Sequence, residues 1–107
     1  MIIDSHGHYT TAPRELETYR QNQIAGRDQP ALKISDDQIR ESLEKAQLKF
    51  QRERGTDLTI FSPRASGMGH HIGNATTSLH WSEICNDLIH RCCTLYPDNF
   101  IGVCQLP

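Results

Sequence analysis

Three short apolar runs, residues 1–4, 58–61 and 100–106, are separated by longer stretches with helical spacing. This alternation constrains the fold more than any other feature of the chain. Strands linked through helices run parallel, because a parallel pair needs a crossover of a dozen or more residues. Brief apolar strands of this kind are expected where both faces of a sheet are covered. The predicted order is strand, helices, strand, helix, strand, an α/β arrangement of three parallel strands with helical crossovers.

The helical stretches carry their own punctuation. Pro13 suits a first turn and Gly26 a stop, predicting a helix over 13–25, then a loop over 26–33. Ser35 is a good N-cap with Gln38 three residues on, and Asp36 and Asp37 place negative charge at the positive end of the helix dipole. Ile39, Leu43, Ala46 and Phe50 recur at helical spacing, and Gly55 fits a left-handed C′ position, so one continuous helix is expected there. A last helix over 78–96 carries the stripe Trp81, Ile84, Cys85, Leu88, Ile89, Cys92 and Leu95. His80 and His90 fall on or near it and read as surface, and Trp81 as core.

Composition removes several function classes. The formal net charge of −2 argues against nucleic-acid binding, which needs a basic face. The apolar runs fall far short of the ~20 residues of a membrane-spanning helix. The start, Met1-Ile2-Ile3-Asp4, lacks a basic region and a long apolar stretch, so no signal peptide is expected and the cytoplasm is the simplest compartment. Cys85, Cys92, Cys93 and Cys104 form no C-x-x-C pair and read as free structural thiols.

The chain of 107 residues stops at Pro107, directly after the third strand. Three parallel strands alone leave two open edges, which natural proteins avoid, and a complete β/α barrel takes about 250 residues. Residues 1–107 are therefore expected to be the N-terminal fragment of a single barrel domain, with a small self-standing α/β domain as the alternative.

Two constellations can carry chemistry. The first is Asp4-Ser5-His6-Gly7-His8. Residues i and i+2 of a strand point the same way, so His6 and His8 can offer two imidazoles to one divalent ion. Gly7 allows a sharp exit from the strand, and Asp4 can orient a ligand. An H-x-H motif alone is weak, but this one sits at a C-terminal strand end, where barrel active sites form. Surface or packing histidines are the competing reading. Tyr9 and Thr10 follow and can line the same rim.

The second constellation is Ser62-Pro63-Arg64-Ala65-Ser66 with Gly67-Met68-Gly69-His70-His71, which emerges after the second strand. Arg64 offers a planar fork that matches a carboxylate. Ser66, His70 and His71 add donors, and the glycines let backbone approach a ligand. A flexible polar loop with Arg64 in solvent is the alternative.

Met1-Ile2-Ile3-Asp4-Ser5-His6-Gly7-His8 resembles the first-strand motif of the amidohydrolase superfamily, in which two histidines bind a divalent metal. The continuation Tyr9-Thr10-Thr11-Ala12-Pro13, together with Leu32-Lys33-Ile34-Ser35-Asp36-Asp37, Asp57-Leu58-Thr59-Ile60-Phe61-Ser62-Pro63-Arg64-Ala65-Ser66 and Pro97-Asp98-Asn99-Phe100-Ile101-Gly102, resembles the 4-oxalomesaconate hydratase family of its decarboxylase-like branch. The resemblance implies a (β/α)8 TIM-type barrel, one zinc ion, and hydration of 4-oxalomesaconate to 4-carboxy-4-hydroxy-2-oxoadipate in bacterial protocatechuate and gallate breakdown. It implies His6 and His8 as metal ligands, and Arg64, Ser66, His70 and His71 as contacts to a small tricarboxylate substrate. The family's other ligands, a later histidine and an acid, have no counterpart in these residues, and the 26–33 segment is shorter than the family leads one to expect. A metal-dependent decarboxylase or hydrolase of the same superfamily, a non-catalytic carboxylate-binding module and an inactive truncated product remain the alternatives. The sequence leaves the oligomeric state open, a homo-oligomer included.

Overall fold

Strand β1 spans Ile3–His8, followed by helices α1 (Arg14–Ile24), α2 (Asp36–Lys45) and α3 (Gln47–Arg54), strand β2 (Leu58–Ser62), helix α4 (Ala75–Leu95) and strand β3 (Phe100–Gly102). The computed structural model describes residues 1–64 and 67–107. The strands form one sheet in the order β1-β2-β3, and both pairings are parallel. The three-stranded parallel architecture is thus the one the alternation predicts.

Helices α2 and α4 pack against one another, and α4 lies against β2 and β3. Between them sits a core of Tyr9, Ile34, Ile39, Leu43, Leu48, Phe61, Leu88, Ile89, Cys92 and Phe100. Phe61 of the central strand stacks on Phe100 at 4.6 Å and meets Tyr9 at 5.5 Å. The Tyr9 hydroxyl donates to Ser42 Oγ at 2.6 Å, because Ser42 spends its own proton on the Ile39 carbonyl. Burial pushes the Tyr9 phenol above its ordinary pKa. Gln51, also buried, satisfies its amide on Thr59 Oγ1 (2.7 Å) and the Asn99 carbonyl (2.9 Å), and accepts from Asn99 Nδ2 at 3.0 Å. A fully bonded polar group of this kind ties β2 to the turn before β3 without an unmet buried donor.

Several expectations need correction. The helix predicted from Ser35 does not run unbroken to Gly55. Its start has the full capping box between Ser35 and Gln38, but Ala46 adopts φ −131°, ψ −87° and divides it into α2 and α3. The break resets the helical phase, so Leu48 and Gln51 turn inward and Phe50 stays 47% exposed, its ring under the Arg54 guanidinium. Helix α4 starts at Ala75, not Ser78, because the Asn74 side chain accepts from the Thr77 amide at 2.9 Å and caps it there. Strand β3 ends at Gly102, not Leu106: one further bond, from the Val103 amide to the Phe61 carbonyl, follows before β2 reaches Ser62-Pro63 and stops. Among the described residues the sheet is not covered on both faces. Ile3 and Ile101 remain about half exposed, and β1, which reads IDSHGH, is polar over most of its length.

Cys85 and Cys92 are buried on α4, Cys93 is half-buried and Cys104 exposed, all as free thiols. Among the described residues no helix is long and apolar enough to cross a membrane.

Candidate metal and substrate site

The end of β1 is not a regular strand. Its register against β2 runs Ile3↔Leu58 and Asp4↔Thr59, then Gly7↔Phe61 and His8↔Ser62, so β1 carries one extra residue between Asp4 and Gly7. Such a bulge re-aims the side chains that follow it. The Asp4 carboxylate accepts from the His6 backbone amide at 3.1 Å, which holds the irregular segment. Asp4 therefore supports the backbone and does not orient a ring. Gly7 is required for a reason other than a sharp exit: the strand continues to His8, and a Cβ at Gly7 would lie 2.4 Å from Thr59 Cγ2.

The bulge brings the two imidazoles together. His6 Nε2 and His8 Nε2 are 2.8 Å apart, with the rings edge to face at 79°. His6 is exposed and His8 half-buried. The other nitrogen of His8, Nδ1, lies 2.8 Å from the Pro63 carbonyl and 2.8 Å from Ser62 Oγ. Ser62 donates its own proton to the Gly7 carbonyl at 2.9 Å, so both neighbours of Nδ1 are acceptors. His8 then carries a proton on Nδ1, and in the neutral imidazole this leaves Nε2 as a bare lone pair facing His6. An imidazole held by a carbonyl in this tautomer is arranged as metal-binding histidines are. Two nitrogens at this separation can both reach one ion at the ~2.0–2.1 Å usual for zinc. The donor set therefore fits a divalent metal in identity, tautomer and convergence. Among the described residues no third His, Cys, Asp or Glu completes the group.

The sequence places Ser62 and Pro63 in the second constellation but gives them no role toward His8, because the pairing of His8 with Ser62 depends on the bulge in β1.

The other candidates are more dispersed. Beside Tyr9 and Pro63 opens a cleft of about 360 Å³ between α1, the segment after β2 and α4. Arg64 is on its wall, its guanidinium 3.6 Å from the Glu17 carboxylate, with both side chains at least half exposed. His70 and His71 lie exposed in the turn ahead of α4 and do not join His6 and His8. Ser66 lies outside the described residues. Tyr9 is 2% exposed and belongs to the core as well as the cleft wall, whereas Thr10 is exposed at the rim. His80 and His90 are on the surface, as expected.

A parallel β/α sheet with paired histidines at the tip of its first strand is the arrangement of an amidohydrolase-type barrel. No protein-family model matches the chain. It is 49% identical, over all of its length and 33% of the relative's, to a 2-keto-4-carboxy-3-hexenedioate hydratase of Sphingobium sp.. The crystal structure of a 4-oxalomesaconate hydratase from Rhodopseudomonas palustris matches with a TM-score of 0.90 and 53% identity, again over the whole chain and 33% of that protein. An amidohydrolase II structure shares the fold at TM-score 0.64 and 20% identity, over the whole chain and 32% of its own. The chain thus spans about a third of the length of the relatives it matches, and over all its residues it is similar to the corresponding third of two hydratases.

Proposed function

We propose that this chain supplies two metal ligands and a substrate-binding rim to a zinc-dependent hydro-lyase that adds water to 4-oxalomesaconate, giving 4-carboxy-4-hydroxy-2-oxoadipate, in cytoplasmic breakdown of aromatic acids. The observation that carries this reading is the Nε2–Nε2 approach of His6 and His8 at 2.8 Å, with His8 Nδ1 held by two acceptors. The names of the relatives support the choice of substrate.

In this reading His6 and His8 hold the ion. When bound, a zinc ion lowers the pKa of water to about 7 and so supplies a nucleophile at neutral pH. The substrate is a small tricarboxylate whose double bond is conjugated to carbonyl groups, so charge arriving on addition can spread onto oxygen. Arg64 takes one substrate carboxylate with its planar fork. Glu17, one of its present partners, is a weak competitor, since exposed ion pairs contribute only ~0–1 kcal/mol. Ser66, His70 and His71 offer donors to the remaining carboxylates. Stabilising charge as it develops is where such groups act most strongly.

The test is to incubate the full-length, zinc-loaded protein with 4-oxalomesaconate in ¹⁸O-labelled water. Loss of the ultraviolet absorbance of the conjugated system, with one labelled oxygen in the product, is expected. Release of carbon dioxide, or no consumption of substrate, would overturn the assignment.

A further inference from the structure

Arg20, on helix α1, is only 7% exposed. Its guanidinium lies 4.8 Å from the centre of the Trp81 ring, and Trp81 is itself 4% exposed. Among the described residues it has no carboxylate partner, and desolvation lowers its pKa from the usual arginine value. Its hydrogen bonds go instead to Gln23 Oε1 (2.8 Å) and to two successive carbonyls, Met68 (3.4 Å) and Gly69 (3.2 Å). The Trp81 indole N–H donates to the carbonyl just before them, Gly67, at 2.7 Å. Three consecutive carbonyls are thus held by one stacked cation–aromatic pair drawn from two helices.

The fit extends to the backbone. Gly69 adopts φ +52°, and a Cβ there would stand 3.0 Å from Arg20 Nη2. The Gly69 carbonyl also accepts from the Ile72 amide at 3.0 Å, closing the turn that carries His70 and His71. An arginine buried without an acid is costly. Its carbonyl bonds and the aromatic face offset that cost only while the 67–69 backbone keeps this shape.

We infer that Arg20 and Trp81 form a clamp that fixes the 67–69 backbone and thereby positions Arg64, His70 and His71 against the substrate's carboxylates. Arg20 is a positioning residue: it acts through the loop and touches no reacting atom. Its role in substrate binding rests on the hydratase reading, whereas the clamp itself rests on geometry alone.

The experiment uses the full-length protein carrying Arg20→Met, with Arg20→Lys and Trp81→Phe as conservative variants. Hydrogen exchange read by mass spectrometry is expected to speed up about tenfold or more over 67–72 in Arg20→Met, with 3–8 unchanged. The KM for 4-oxalomesaconate should rise about tenfold while kcat stays within about threefold and zinc content is unaltered. Arg20→Lys, which can stack on Trp81 and reach one carbonyl, should fall between. If Arg20→Met does not fold, the two conservative variants carry the test, each expected to loosen 67–72 by a smaller factor. Unchanged exchange over 67–72 would overturn the clamp, and a loosened loop with an unchanged KM would overturn its role in binding. If the wild type itself hydrates nothing, the functional reading fails while the exchange result still decides the clamp.

Discussion

Replacing Ser62 with alanine removes one support of His8 and leaves the imidazole in place. Ser62 Oγ accepts from His8 Nδ1 at 2.8 Å and donates to the Gly7 carbonyl at 2.9 Å. The Pro63 carbonyl, also 2.8 Å from Nδ1, survives the change, so the Nδ1–H tautomer is retained. The loss is therefore one neutral hydrogen bond to the ring plus some ring freedom, about 0.5–1.5 kcal/mol. Changes to the partners of metal-binding histidines cost 10–100-fold in affinity, and with one of two acceptors remaining the low end applies, about tenfold. Competition for zinc against a chromophoric chelator, in the full-length protein, measures this directly. Affinity unchanged within twofold would show that Ser62 does not orient His8. A loss as complete as that of His8→Ala, in a protein that still folds, would show that the Pro63 carbonyl does not hold the tautomer.

Other consequences follow from the same contacts. Gly7→Ala forces a Cβ against Thr59 and should lower stability by about 1–3 kcal/mol in denaturant titration, as overpacking does. Leu43→Ala empties part of a fully buried site between α2 and α4 and should cost about 2–5 kcal/mol by the same measurement. Burial raises the Cys85 and Cys92 thiols to about 12, so at pH 8 almost none is thiolate. Both should stay unmodified by iodoacetamide in the native protein and react once it is unfolded, as read by peptide mass. Glu17→Gln removes one competitor beside Arg64 and should lower the KM for 4-oxalomesaconate by up to about fivefold, with kcat little changed.

What was legible in the sequence followed from local chemistry. The Ser35–Gln38 box and the Cys85–Cys92 stripe depend on neighbours three to seven residues away, and both stand as read. The parallel order of the strands followed from their spacing. What was not legible depended on contacts between distant residues. No propensity marks Ala46 as a break, since alanine is the best helix former. The i, i+2 spacing did place His6 and His8 on one side of β1, but the bulge is a property of register against β2, as is the demand for glycine at position 7. Nothing local marks Arg20, because its partners Trp81, Met68 and Gly69 lie about fifty or more residues away along the chain.

Metal content per chain, read by plasma mass spectrometry on the full-length protein and on its His6→Ala and His8→Ala variants, bears most directly on the shared ion. One zinc equivalent in the wild type, lost from both variants together with hydration of 4-oxalomesaconate, is the predicted result. Full zinc occupancy in a folded variant that lacks either imidazole would contradict it.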